Sequence, residues 1–299
     1  MVKILLLTEG CQHGKSIINN NNMKKLKDFG FNTDNKTYII AEIGINHGGD
    51  INLAKQLIDS AARTGADAVK FQTYITEKRV SKDSPIFDIL KKCELPFEAF
   101  KELQLYSKRL NIDFFSTPFD IESVDYLESI NVDLYKIASF DIGNMDLLEK
   151  VAKTNKPIIL SVGMSNVDEI TNAYNCIKKY NDKLALLHCV SAYPTDETDS
   201  NISAIFSLKD SFKDCVIGQS DHTNDIDVPL FSVCSGAQIL EKHFKIDEYM
   251  ECVDSPVSIT ELQLKNMVLQ TRRIEKIMGS SELHIRDCEK GSLVFRRKS

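Results

Sequence analysis

No two of the eight cysteines form a CxxC pair; Cys11, Cys93, Cys176, Cys189, Cys215, Cys234, Cys252 and Cys288 are scattered along 299 residues. In a chain of this size that scatter argues against a disulfide scaffold and against a paired-cysteine zinc site, and leads us to expect reduced thiols in the cytoplasm. There is no basic patch, and the formal net charge is −6. Nucleic acid and anionic membrane surfaces are therefore not expected as main partners. The opening run MVKILLL is far too short to cross a bilayer. Glu9 and His13 follow it without a small-residue cleavage signature, so no secretion signal is expected.

What is present is a repeat of two textures. From Tyr38 onward, short runs rich in Ile, Val, Leu and Phe alternate with longer amphipathic runs. The short runs read as buried strands at 38–44, 68–74, 113–119, 134–139, 157–163, 184–191, 216–221 and 239–244. The intervening segments carry helical spacing. In INLAKQLIDSAARTGAD, Leu53, Leu57, Ile58 and Ala61 share a face and Gly65 ends the run. In SITELQLKNMVLQTRRIEKIMG, Ser258 and Glu261 have capping-box spacing and Gly279 stands at the end. Eight nearly all-apolar strands alternating with helices predict an α/β fold, a closed (β/α)₈ TIM barrel, with an open doubly wound sheet as the structural alternative. The expected organisation is an N-terminal extension over 1–37 that caps the barrel floor, a catalytic barrel over 38–279 and a tail or linker over 280–299.

In such a barrel the C-terminal ends of the strands converge on one mouth. Those ends carry Glu42, Lys70, Gln72, Ser116, Thr117, Lys136, Ser139, Ser161, His188, Ser191, Tyr193, Ser220, Asp221, His222, Glu241 and His243. Polar groups inside apolar strands are costly unless paired or used. Two lysines with several hydroxyls suit a phosphate or carboxylate. Two histidines with nearby acids suit a divalent metal of the Mn, Fe or Zn type. A metal beside an anion site points to a phosphorylated substrate and a carbonyl to be polarised.

The motifs AEIGINHGGD, KFQTY, FFSTPFD, KIAS, LSVGMSN, LHCVSAYPT, GQSDHT and EKHF, in that order over 38–279, resemble the sialic acid synthase family. The resemblance implies condensation of phosphoenolpyruvate with an N-acylated hexose, N-acetylmannosamine or a related diacetamido deoxyhexose, to give a nonulosonic acid and phosphate. It implies a divalent metal, Mn²⁺ first and Mg²⁺ or Co²⁺ as alternatives, on His222 and His243. It places Lys70, Thr117, Lys136, Ser139, Ser161, Ser191 and Ser220 around phosphoenolpyruvate. Glu42, Gln72, Tyr193 and Asp254 match sugar-side positions, Ser191 stands where many members have Asn, and Asp141 where many have Glu. Glu42, Lys70, Lys136, His222 and His243 form the expected catalytic group. A homodimer is implied as well.

The sequence departs from the family in two places. Members usually continue into a small antifreeze-like (SAF) domain that covers the partner's site and supplies an arginine to the sugar. This sequence stops at FRRKS, so slower turnover is expected unless a partner supplies the lid. In ECVDSPVS, Asp254-Ser255 resembles the pseudaminate branch, whereas AEIGINHGG resembles the sialate and legionaminate branch.

Plainer readings stand beside these. GCQHGKS at 10–16 is one residue short of a phosphate loop and reads as a chance match, with His13 an ordinary loop residue. His47 suits a turn as well as a substrate contact, His188 reads as a satisfied core histidine, and His284 has no partner in sight. KKLKDFG at 24–30 reads as a solvated helix face. Lys70 or Lys136 as a Schiff-base lysine, another phosphoenolpyruvate-dependent aldolase, and a lidless ligand-binding remnant are the rival functions.

Overall fold

Eight parallel strands follow one another around a closed barrel in chain order: β1 Tyr38–Gly44, β2 Ala68–Thr73, β3 Asp113–Pro118, β4 Tyr135–Ile137, β5 Ile158–Ser161, β6 Leu184–Cys189, β7 Val216–Asp221 and β8 Ile239–His243. β1 pairs with both β2 and β8, which closes the ring and excludes the open sheet. The structure is a computed structural model that describes residues 26–297. The GCQHGKS stretch, His13 and the asparagine run at 19–22 lie outside those residues.

Closure explains why the strands read as unbroken apolar runs. Helices cover the outer face and side chains fill the inner one, so both faces are dry. Ile39, Ala41, Val69, Phe71, Ile158 and Leu160 point outward into the helix layer. Their neighbours in sequence, Ile40, Ala68, Phe115, Leu134, Ile159, Leu187, Val216 and Ile239, fill the lower interior. Leu26 and Phe31 join that lower cluster, with Phe31 packed 5.2 Å from the Tyr38 ring. The KKLKDFG reading therefore holds for Lys27, which is exposed, and not for Leu26, which is buried. Burying one large aliphatic or aromatic side chain contributes about 1.5–3 kcal/mol, so this layer alone is a substantial part of the core.

Several strands stop earlier than their apolar runs suggest. The 134–139 run is strand only over Tyr135–Ile137, because Ser139–Asp141 turns into a 3-10 helix. The 157–163 run ends at Ser161, and the 184–191 run ends at Cys189. In each case the residues beyond the ladder form the loops that carry polar side chains to the mouth.

The helix Ile51–Thr64 starts at Asp50, whose carboxylate accepts from the backbone N–H of Asn52 and Leu53, and ends at Gly65 with φ 82°. The helix Glu261–Met278 has its capping box two residues later than the sequence suggests. Thr260 is the cap and Gln263 its partner. Ser258 is drawn away because its hydroxyl donates to Asp254 O at 2.7 Å and accepts from Asn46 Nδ2 at 2.9 Å. Residues 280–297 form a separate unit with a 3-10 helix, Asp287–Phe295, and exposed side chains that include His284. No described helix is long and apolar enough to cross a membrane.

Candidate active site

Two residues beyond the apolar layer, the same strands turn polar. Ile40 gives way to Glu42, Ala68 to Lys70, Leu134 to Lys136, Ile159 to Ser161 and Ile239 to Glu241. Strand alternation keeps all of them pointing inward. Parallel register puts Glu42 level with both Lys70 and His243, and Ser220 level with Glu241. They open into a cavity of about 360 Å³ at the C-terminal mouth. Glu42, Lys70, Gln72, Thr117, Lys136, Ser139, Ser161, Ser191, Tyr193, Ser220, His222, His243 and Asp254 all line it. Asp141 does not: it lies in the 3-10 helix after β4, where its carboxylate accepts from Asn144 Nδ2 at 3.4 Å.

The floor is a buried charge network centred on Glu241. Its Oε2 lies 3.1 Å from Lys70 Nζ and its Oε1 lies 3.7 Å from Lys136 Nζ. Ser220 Oγ donates to Glu241 Oε1 at 2.8 Å. Lys136 donates to Ser161 Oγ at 2.6 Å, and Lys70 lies 3.4 Å from Glu42 Oε1. Burial works against charge on every member, and the pairing decides the outcome. Burial presses the Glu241 carboxyl upward, but Lys136 and Lys70 outweigh it and hold the pKa down at about 2. Glu42 goes the other way: burial raises its pKa, and neighbouring Glu241 adds to the shift against the pull of Lys70. Burial lowers Lys136 to about 8, while Lys70 is raised because Glu241 and Glu42 outweigh its burial. Lys70 and Lys136 thus bring two cationic groups to the cavity floor. Two such groups with neighbouring hydroxyls are what an anionic ligand requires.

Hydroxyls line one wall above the lysines. Gly163 N–H donates to Ser139 Oγ at 3.0 Å. A β-carbon at Gly163 would stand 2.5 Å from Ser191 Oγ and 3.0 Å from Ser139 Oγ, so only glycine lets these hydroxyls close on the backbone. Gly44 plays the same part opposite. A β-carbon there would meet Gln72 Nε2, Glu42 Oε1 and Asp254 Oδ2 at 3.2–3.4 Å, and its φ of 55° also favours glycine.

The rim carries the imidazoles. His222 and His243 rings are 5.4 Å apart, and Tyr193 packs 4.2 Å from His222. His222 Nδ1 lies 2.9 Å from Val190 O, which assigns its proton there and leaves Nε2 as a free lone pair. Burial and the neighbouring His243 hold His222 neutral, with its pKa lowered to about 3. His243 Nδ1 is buried without a hydrogen bond, 3.2 Å from Asp254 Oδ2. Burial opposes its charge, yet Asp254 outweighs burial and raises its pKa. A neutral imidazole with its second nitrogen anchored and an imidazole beside a carboxylate fit a divalent cation. Among the described residues no three His, Cys, Asp or Glu groups gather tightly enough to enclose one. The fit is that of an open site with two protein nitrogens. Behind β7 and β8, the wholly buried Lys242 ammonium binds Asp221 at 2.6 Å and donates to Thr223 O, which ties the two histidine-bearing strand ends together.

Several cavity residues had no role assigned from sequence. Glu241 was visible at a strand end, and alternation between Ile239 and His243 already places it inward. Cys189, two residues after inward Leu187 at the end of β6, is placed inward by the same alternation, whereas Arg79 and Phe119 carry no such signal, since only the segments after β2 and β3 bring them over the mouth. His188 is a satisfied core histidine, 2.8 Å from Ser200 O. His47 sits in the turn after β1, with Nδ1 accepting from Gly49 N–H at 3.1 Å, and does not line the cavity.

The NeuB family model matches residues 57–283. N,N'-diacetyllegionaminic acid synthase of Campylobacter jejuni is 42% identical over 88% of this chain and 84% of that protein. Its namesake in Legionella pneumophila is 37% identical over 87% of this chain and 80% of that protein. Among solved structures, N-acetylneuraminic acid (sialic acid) synthetase from Leptospira borgpetersenii superposes with a TM-score of 0.85 at 41% identity, covering 88% of this chain and 92% of that one. A buried lysine–glutamate floor under a pair of imidazoles is thus carried on a barrel shared with named acid synthases, and the chain belongs to the NeuB family as an enzyme of that kind.

Proposed function

We propose that this enzyme condenses phosphoenolpyruvate with an N-acylated hexose to give a nonulosonic acid and phosphate, with cleavage of the C–O bond. The observation that carries this reading is the Lys70–Glu241–Lys136 array buried beneath His222 and His243 in a single cavity. Lys70 and Lys136, with Thr117, Ser139, Ser161, Ser191 and Ser220, bind the phosphate and carboxylate of phosphoenolpyruvate. Tyr193, Gln72 and Asp254 hold the open-chain sugar above it. C3 of phosphoenolpyruvate then forms a bond to the aldehyde carbon, and the aldehyde oxygen takes up a proton. Water adds at C2 and gives up a proton, and the tetrahedral centre expels phosphate as the lysines stabilise its charge. Glu42, whose pKa burial raises, is placed to exchange protons at this level. His222 and His243 would hold a divalent cation, Mn²⁺ first, which when bound supplies Lewis-acid polarisation of the aldehyde.

The two relatives that make N,N'-diacetyllegionaminic acid support a diacetamido deoxyhexose as the acceptor. Phosphoenolpyruvate brings no nitrogen, so both acetamido groups of such a product come from the sugar. The cytoplasmic setting and the homodimer are part of the same proposal.

The test is phosphate release from phosphoenolpyruvate with Mn²⁺, offering N-acetylmannosamine and a diacetamido deoxyhexose in parallel, with a chelator control. Release that needs one sugar and stops on chelation is expected. Borohydride trapping of a lysine adduct would overturn the reading in favour of a Schiff-base aldolase. His222→Ala and His243→Ala are each expected to weaken Mn²⁺ binding by about tenfold to a hundredfold with the fold retained. Unchanged Mn²⁺ affinity in both variants would remove the metal assignment.

A further inference from the structure

Among the described residues, Arg79 is a cavity cation that the floor network does not contain. It ends the short helix Thr76–Arg79 after β2, and its guanidinium carbon stands 3.6 Å from the centre of the Phe119 ring and 4.7 Å from that of Tyr74. Its Nη1 donates to Gln72 Oε1 at 3.0 Å. No other described residue accepts from the guanidinium, although it carries five N–H donors. Asp141 and Asp254 act on its charge only through space, and burial lowers its pKa. Lys70 and Lys136, by contrast, each sit against a carboxylate. A partly desolvated guanidinium that lines a cavity with unused donors is poised for a ligand oxygen.

The surroundings indicate which oxygen. The floor cations suited to an anion, Lys70 and Lys136, lie below. At the level of Arg79 the carboxylates of Asp141 and Asp254 already supply negative charge, so a neutral oxygen suits the position better than another anion. Gln72 links this level to the floor, because its Nε2 donates to Glu42 Oε1 at 3.3 Å while its Oε1 accepts from Arg79.

We infer that Arg79 binds the acceptor hexose by donating to a neutral hydroxyl or acylamido oxygen, and that the same residue sets the position of Glu42 through Gln72. The inference rests on the condensation proposed above. Aromatic packing on Phe119 and Tyr74 holds the guanidinium plane in place without consuming its donors. Arg79 is thus a sugar-binding residue supplied by the barrel itself.

Steady-state kinetics of R79M and R79K with phosphoenolpyruvate and a diacetamido deoxyhexose test this, together with calorimetric binding of phosphoenolpyruvate alone. R79M keeps much of the apolar stem and is expected to raise the hexose KM by about tenfold to a hundredfold. Its phosphoenolpyruvate affinity should match the wild type, which also certifies the fold. R79K keeps the charge without the planar fork and is expected to show a smaller rise, roughly threefold to tenfold. A wild-type hexose KM in R79M, or weakened phosphoenolpyruvate binding in its place, would overturn the inference while leaving the condensation standing. A wild-type enzyme that releases no phosphate with any N-acylated hexose would overturn both.

Discussion

The lower and upper halves of the barrel interior come from the same strands, two residues apart, and their chemistry is opposite. Below, Ile40, Ala68, Phe115, Leu134, Ile159 and Ile239 form a dry layer. Above, Glu42, Lys70, Lys136, Ser161 and Glu241 are just as buried, with Lys136 only 2% exposed. Burial in the lower layer stabilises the fold outright. In the upper layer burial costs free energy that pairing only partly returns, because each ion has left water. The difference teaches that the upper layer is not there for stability. Replacing a buried ion network with apolar residues is often neutral or stabilising. Its retention in the mouth of a cavity is explained by a ligand that uses the charge.

The sharpest way to break this comparison is to exchange the consequences of mutation between the layers. Phe115→Ala should destabilise the protein by about 3–5 kcal/mol in urea denaturation, through lost burial and a residual cavity. The KM values of the folded fraction should stay within about twofold of wild type, since Phe115 itself does not line the cavity. Comparable loss of substrate affinity would show that the layers are not independent.

Lys136→Met should do the reverse. Glu241 keeps Lys70 as its partner, so the melting temperature should change little. Turnover measured by phosphate release should fall by about a hundredfold to a thousandfold, the loss typical of removing one group that stabilises developing charge. A large drop in stability with turnover preserved would reassign Lys136 to structure.

A smaller effect follows from pH. Burial lowers Lys136 to about 8, so its ammonium form dominates below that value and is lost as pH rises through it. On the proposed function phosphoenolpyruvate binds the charged form, so its affinity should be flat on the acid side of pH 8 and weaken above it by up to about tenfold per unit. Calorimetric titrations at several pH values check this. In Lys136→Met that slope should vanish, and its persistence would point to another group.

Much of this was legible in the chain. The strand count, their parallel arrangement and the inward set Glu42, Lys70, Lys136, His222 and His243 follow from apolar runs that end in polar residues, because period-two alternation fixes which residues share a face. What sequence spacing misjudged was local and competitive. Ser258 had the spacing of a cap, yet Thr260 took the role because Ser258 found partners in Asn46 and Asp254. Asp141 matched a site position in sequence, but the early end of β4 carries it into a 3-10 turn outside the cavity lining.

By itself, then, the sequence determined the eight alternating strands and the identity of most polar groups at their ends, since both depend on patterns repeated along a single strand. Only the tertiary structure decided which charges meet. Glu241 as the shared partner of two lysines, the raised pKa of Glu42, the lowered pKa of Lys136 and the placement of Arg79 over Phe119 all depend on distances between elements remote in sequence. Electrostatic energies vary with separation and burial, and neither is encoded in local pattern.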